Sequence, residues 1–252
     1  MRYFVKLSFN GASFHGWHKQ PGDDSVQQCL EQHFSTFLRQ KVQFTGAGRT
    51  DAGVHAKNYV AHADMLIDQN LNLNDFIYKM NKFLPDEIVI HDVMPVQPGA
   101  HARFDALSRT YQYYISTEKD PFFSDLSYFH TTPLDMEVMN KAAELLKGHK
   151  DFKSFSKTGT DVKSYMCNIY EAYWKREHNR LIFVIRADRF LRNMVRAIVG
   201  TLIDVGRGYL APEDLKDIIE ARDRQKAGTS VPGHGLFLVN ISYPGDIFFN
   251  KS

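Results

Sequence analysis

Two cysteines in 252 residues, Cys29 and Cys167, are too few and too far apart in sequence for a disulfide framework or a thiolate metal site. No apolar run approaches the roughly 20 residues that a bilayer-crossing helix needs. Lys6 and Ser8 interrupt the amino-terminal segment, which therefore reads as a strand and not as a signal peptide. Net charge is only +2, too small to announce a nucleic-acid partner. There is no Gly-Lys-Ser/Thr run for a P-loop, no G-x-S-x-G elbow and no H-E-x-x-H pair. Gly46-Ala-Gly48 fails as a dinucleotide fingerprint because the third glycine would fall on Asp51. His55 and His62 have no third ligand at recognisable spacing, so no metal is expected. What remains is an ordinary globular composition, 43% hydrophobic and 24% charged, expected in a reducing cytoplasm.

The chain alternates strand and helix patterns twice. Tyr3, Val5, Leu7 and Phe9 alternate with Phe4, Lys6 and Ser8, the period of a strand with one core face. Asp24 or Ser25 caps a helix with Val26, Cys29, Leu30, Phe34, Phe37 and Leu38 on one side. Val42 to Thr45 is short and β-like, Val54 to Met65 extended, and a helix with Phe76, Met80 and Phe83 stops before Pro85. Ile88 to Val96 closes the first half as a strand.

The second half has a strand at Arg109 to Thr117 and a helix around Val138 to Leu146 ended by Gly148. A hairpin of Asn168 to Arg176 and Leu181 to Ala187 turns near His178-Asn179. The longest and most apolar helix, Leu191 to Ile203, precedes a shorter one around Leu215 to Ile219 and a last strand, Leu236 to Tyr243. The expectation is an α+β fold of two halves with mainly antiparallel sheets, residues 1–100 and 101–252, divided near Pro95 to Ala100. Catalytic clefts often lie between such halves.

The chemistry concentrates in Gly46-Ala-Gly-Arg-Thr-Asp-Ala-Gly-Val-His-Ala56. Three glycines surround one acid, Asp51, and one base, Arg49, on an irregular backbone. Asp51 is either a functional carboxylate or an Asx-turn residue. Arg49 is a partner for that carboxylate or a contact for an anionic substrate. Arg196 sits on an apolar helix, either paired with a buried acid or at the edge of the stripe reaching water. Tyr111 is a core aromatic or a stacking face for a base. From Lys175 to Arg207 eight basic residues face three acidic ones, a local field that suits a phosphate backbone or else a solvated surface.

The eleven-residue loop resembles the signature of the TruA family of tRNA pseudouridine synthases. Ordered satellites extend the likeness along the chain: Gly16-Trp17, Ala102-Arg103-Phe104, Arg109-x-Tyr111, Gly148-x-x-Asp151-Phe152-x-Ser154-Phe155, Phe190 to Gly200, and Gly235-Leu-Phe-Leu238. The resemblance implies two RRM-like or ferredoxin-like halves around a central cleft, a homodimer, and isomerisation of uridine to pseudouridine at positions 38, 39 and 40 of the tRNA anticodon stem-loop. It implies no cofactor and no catalytic metal. By position, Asp51 is the catalytic aspartate, Arg196 its partner, Tyr111 the residue stacking on the target uracil, and Arg49 an aid in displacing it. Arg103 and Leu236 complete the substrate-binding set. Phe9-Asn10-Gly11 and His18 depart from the family's usual Tyr-Asp-Gly and Gln.

Two competing readings stand beside this one. A non-catalytic RNA-binding protein would use the same basic segment and strand aromatics, but a carboxylate in a polyanion site needs a chemical reason. A glycosidic hydrolase ordinarily wants a second carboxylate as proton donor, and none stands out near Asp51 in sequence.

Overall fold

The computed structural model describes residues 1–68, 71–159 and 162–249. The chain forms two compact units, one of Met1–Leu107 together with the chain from Leu238, the other of Ser108–Phe237. The fold mixes α and β, and its sheet pairing is mostly antiparallel.

In the first unit the order is β1 (Arg2–Phe9), α1 (Val26–Leu38), β2 (Thr45–Gly46), β3 (His55–Asp64), α2 (Leu73–Phe83) and β4 (Ile88–Pro95). β1 is central and pairs antiparallel with β3 and β4, so Val5 faces Ala61 on one side and Val93 on the other. Ser25 is the cap of α1: its backbone is extended and its Oγ accepts the Gln28 N–H at 3.2 Å. Phe34 of α1 meets Phe44 edge-on at 4.9 Å and Phe76 of α2 at 5.9 Å. A buried aromatic of this size contributes about 1.5–3 kcal/mol by its area alone.

Two expectations for this unit are corrected. Residues Val42 to Phe44 form no strand, although Val42 and Phe44 are buried. Side chains of α1 take the backbone groups a sheet neighbour would have paired. Ser35 Oγ accepts the Val42 N–H at 2.9 Å, Glu31 accepts that of Phe44 at 3.1 Å, and Gln27 donates to the Phe44 carbonyl at 2.9 Å. In β1 the alternation breaks because Phe4 is buried as well as Tyr3 and Val5. Phe4 packs against Tyr243 at 5.1 Å and Phe248 at 6.0 Å, so the start of this strand is covered on both faces.

The second unit contains β5 (Ser108–Ser116), β6 (Tyr128–Phe129), α3 (Met136–Leu145), β7 (Ile169–Glu177), β8 (Arg180–Ala187), α4 (Met194–Gly206) and α5 (Asp214–Ala221). β8 pairs antiparallel with β5 and β7, while β6, which no periodicity announced, pairs parallel with β5. The hairpin turns at His178-Asn179 as expected, with Glu177 opposite Arg180. Eleven of the 13 residues of α4 are buried, making it the most apolar helix, though α1 equals it in length. α4 starts at Met194, later than Leu191, because Asn193 is left-handed at φ 67 and cannot continue a right-handed helix. The last strand, β9 (Leu236–Ser242), runs from the second unit into the first.

Both units protect their outermost strand in the same way. Asn81 of α2 donates to the Ile90 carbonyl at 2.8 Å and accepts its N–H at 2.7 Å. Asn140 of α3 does the same to Trp174 of β7, at 3.1 and 2.7 Å. A helix amide thus occupies the backbone groups through which an open edge recruits another strand.

Candidate active site

The loop between β2 and β3 carries Asp51, and its path is set from three directions. From below, Tyr59 of β3 donates its hydroxyl to the Gly48 carbonyl and accepts the Gly48 N–H at 3.3 Å. The Trp17 ring stacks on Tyr59 with centroids 4.2 Å apart. Gly46 lies against this pair so closely that a Cβ there would come within 2.2 Å of the Tyr59 Oη. From the side, the Trp17 N–H donates to the Thr50 Oγ1 at 3.0 Å. From the far end, the Gly53 N–H reaches the Phe14 carbonyl at 3.3 Å.

Asp51 itself opens a four-residue turn, its carbonyl accepting the Val54 N–H at 3.2 Å. Gly53, third in the turn, has φ +74, as a type II turn demands of that position. At Gly48, by contrast, a Cβ would meet nothing within 4 Å. The Asp51 side chain is half-buried, and Arg49 two residues earlier is exposed. The acid and the base therefore stand on one rigid frame within the first unit.

Asn10 and His18, in the neighbouring loop, both make local hydrogen bonds. Asn10 accepts the Ala12 N–H through Oδ1 at 3.0 Å, a bond an aspartate would also make. His18 shares Gln27 Oε1 with the Lys19 N–H, each at 3.1 Å.

Arg103 also belongs to the first unit, on a turn organised by two histidines. His62 of β3 is 6% exposed and accepts the Ala102 N–H through Nδ1 at 3.1 Å. His101 Nδ1 accepts from Arg103 at 3.1 Å and Phe104 at 3.3 Å, and Asp105 accepts the His101 N–H at 2.7 Å. Burial pushes the His62 imidazole down to about 4, helped by the charges of His101 and Arg2 and opposed by Asp64 and Asp105. Arg103 is exposed, and its guanidinium lies 5.6 Å from the ring of Phe104, itself 73% exposed.

Tyr111, Arg196 and Leu236 lie in the second unit. Tyr111 is on β5 opposite Ile185, half-buried, with the Phe190 ring edge-on at 5.1 Å. Arg196, in the first turn of α4, donates Nε to the Val231 carbonyl at 2.7 Å, while the Val231 N–H returns to the Arg196 carbonyl at 3.2 Å. The Nε hydrogen bond fixes one edge of the guanidinium, and the backbone bond ties Val231 to the helix. Its charge is felt by Tyr113, whose phenol burial pushes up and Arg196 pulls back; the Tyr113 hydroxyl donates to the Pro232 carbonyl at 2.9 Å. Leu236 is buried at the start of β9.

The basic stretch is less naked than its composition suggests. Arg186 pairs with Glu171 at 2.7 Å, Lys175 with Glu177 at 2.5 Å, and Arg180 lies 3.7 Å over the Phe123 ring. Part of the local field is neutralised on the hairpin itself. Thiol chemistry is disfavoured, since burial pushes Cys29 up to about 11 and Cys167 up to about 12. Among the described residues no group of three His, Cys, Asp or Glu is placed to hold a metal ion, and no helix is long and apolar enough to cross a membrane.

The sequence that builds this pinned, glycine-framed loop lies within the match to a known family. The model described as tRNA pseudouridine synthase matches residues 7–105 and 142–244, and the chain belongs to that family. Particular relatives agree along its whole length. The tRNA pseudouridine synthase A of Parabacteroides distasonis is 51% identical over 250 residues, 98% of this chain and 98% of that protein. That of Bacteroides thetaiotaomicron is 52% identical over 254 residues, 100% of this chain and 94% of that protein. That of Bacillus subtilis is 37% identical over 247 residues, 96% of this chain and 99% of that protein.

Sequence gives no sign that Thr50 and Tyr59 brace the loop, and it offers His55 only as a metal ligand lacking partners. A threonine inside a glycine loop and an aromatic in a strand carry no mark of their long-range bonds.

Proposed function

We propose that this chain isomerises uridine to pseudouridine in tRNA, at positions 38, 39 and 40 of the anticodon stem-loop, with Asp51 as the catalytic carboxylate. The observation that carries the reading is the frame just described: one half-buried acid at the head of a turn held by Trp17, Tyr59 and Phe14. A loop so constrained presents its carboxylate in one orientation without ordering cost at each encounter.

The reaction breaks the N1–C1′ bond of uridine, turns the uracil and rejoins it through C5. Asp51 serves as nucleophile at the ribose or as base toward the C2′ proton, and both roles require it ionised. A flipped base covering the carboxylate strips water from its charge, so a guanidinium beside it has a physical purpose. Arg196 fills that role, its plane already set by Val231. Tyr111 offers its ring to the extruded uracil, which offsets part of the few kcal/mol, roughly, that unstacking costs. Arg49 assists displacement of the base, and Arg103 and Leu236 contact the substrate. Each unit is taken as one RRM-like or ferredoxin-like half, and the working form as a cytoplasmic homodimer.

Asp51→Asn tests the reading. We expect no pseudouridine in a uridine-containing anticodon stem-loop, with tRNA affinity held within a few-fold. Retained isomerisation would remove Asp51 from the mechanism. A wild-type protein that binds the stem-loop and forms no pseudouridine would be a non-catalytic RNA binder.

A further inference from the structure

We propose that His55 is a positioning residue for Asp51, acting through a ring of hydrogen bonds that closes around the turn. The inference rests on the catalytic reading of Asp51. His55 opens β3, is 1% exposed, and accepts the Gly11 N–H through Nδ1 at 3.0 Å. The Gly11 carbonyl accepts the Phe14 N–H at 3.0 Å, and the Phe14 carbonyl accepts the Gly53 N–H at 3.3 Å. Gly53 is two residues before His55 in the chain. The circuit therefore runs from His55 to Gly11, to Phe14, to Gly53, and back along the backbone.

Gly53 is also the third residue of the turn that Asp51 heads. Through Gly11 and Phe14 the imidazole thus fastens the position that sets the direction of the Asp51 carbonyl. Accepting from a backbone N–H requires an unprotonated Nδ1, so the residue works as a neutral acceptor. Thr50 holds the other side of Asp51 through the Trp17 N–H. With both anchors the carboxylate has one approach to the ribose. With the His55 anchor removed, the Gly11–Phe14 turn loosens and Gly53 swings with it. A displacement of about 1 Å at a reacting group costs on the order of 10²-fold in rate.

The experiment uses the full chain and compares three variants. His55→Asn places Oδ1 where Nδ1 stood and keeps the acceptor. His55→Gln places its amide nearer the Nε2 position and loses it, and His55→Leu has no acceptor. Thermal unfolding first identifies a temperature at which each protein is folded, and single-turnover pseudouridine formation and tRNA affinity are then measured below it. We expect His55→Asn within a few-fold of wild type, and His55→Gln and His55→Leu slowed on the order of 10²-fold with tRNA affinity unchanged. A folded His55→Leu protein with wild-type turnover overturns the proposal. So does a His55→Asn protein as slow as His55→Leu, because that places the histidine in packing alone. Should His55→Leu not fold, the Asn and Gln pair decides by the same comparison. Asp51→Asn run alongside separates the two levels: turnover retained there refutes the role of Asp51, whereas a dead Asp51→Asn beside an active His55→Leu refutes only the positioning.

Discussion

Acid should loosen the turn that carries Arg103, and His62 sets where this begins. His62 is buried, neutral, and accepts the Ala102 N–H through Nδ1 at 3.1 Å. Protonation there would set one N–H against another. Its folded pKa is lowered from 6.5 to about 4, so the unfolded chain takes up the proton first. Stability is whole above the unfolded value and declines as pH falls through the window toward 4. Over that window the loss amounts to about 3 kcal/mol, of which about 2 kcal/mol has gone by pH 5.

The assay is urea unfolding at pH 7 and pH 5 at fixed ionic strength, wild type against His62→Asn, which keeps an acceptor at the same place and cannot titrate. Wild type should lose about 2 kcal/mol more than the variant between the two conditions, corresponding to roughly 4–8 °C in melting temperature. Equal losses in the two proteins would refute the argument and assign the acid sensitivity to other groups. His101, also shifted down by burial, contributes in the same direction and is present in both proteins.

The proposed partner of Asp51 is tested by Arg196→Met, for which we expect turnover to fall on the order of 10²–10³-fold with tRNA affinity nearly kept. Arg196→Lys retains charge but loses the Nε bond to Val231, so an intermediate rate would separate orientation from charge; a loss confined to binding would make Arg196 a phosphate contact. Tyr111→Phe preserves the ring and its edge contact with Phe190, and near-normal turnover is expected in a single-turnover assay. A collapse there would mean that the phenol transfers a proton.

Much of the fold was legible because it follows from local period. The helices at Val26–Leu38, Leu73–Phe83 and Asp214–Ala221 appeared where apolar residues recur at three and four, and Ser25 was one of two expected caps. The hairpin turn at His178-Asn179 was marked by the strands on either side. The segment Val42 to Phe44 was misread because its backbone partners are side chains of Glu31, Gln27 and Ser35 on another element. The start of α4 was misread because Asn193 adopts a left-handed conformation, its amide bonded to Ser230 Oγ at 2.6 Å. β6 is two residues long and has no period to detect.

The order of residues already named the acid: a lone carboxylate among glycines in a motif dense enough to identify a family. Missing motifs, short apolar runs and two distant cysteines likewise exclude P-loops, membrane helices and thiol scaffolds. How that acid is aimed could not be read there. Trp17 meets Thr50 across 33 residues and Gly11 meets His55 across 44, distances over which side-chain identity carries no register. Hydrogen bonds of that span exist only once β1 and β3 have paired, and it is this pairing that converts a flexible glycine loop into a fixed support for one carboxylate.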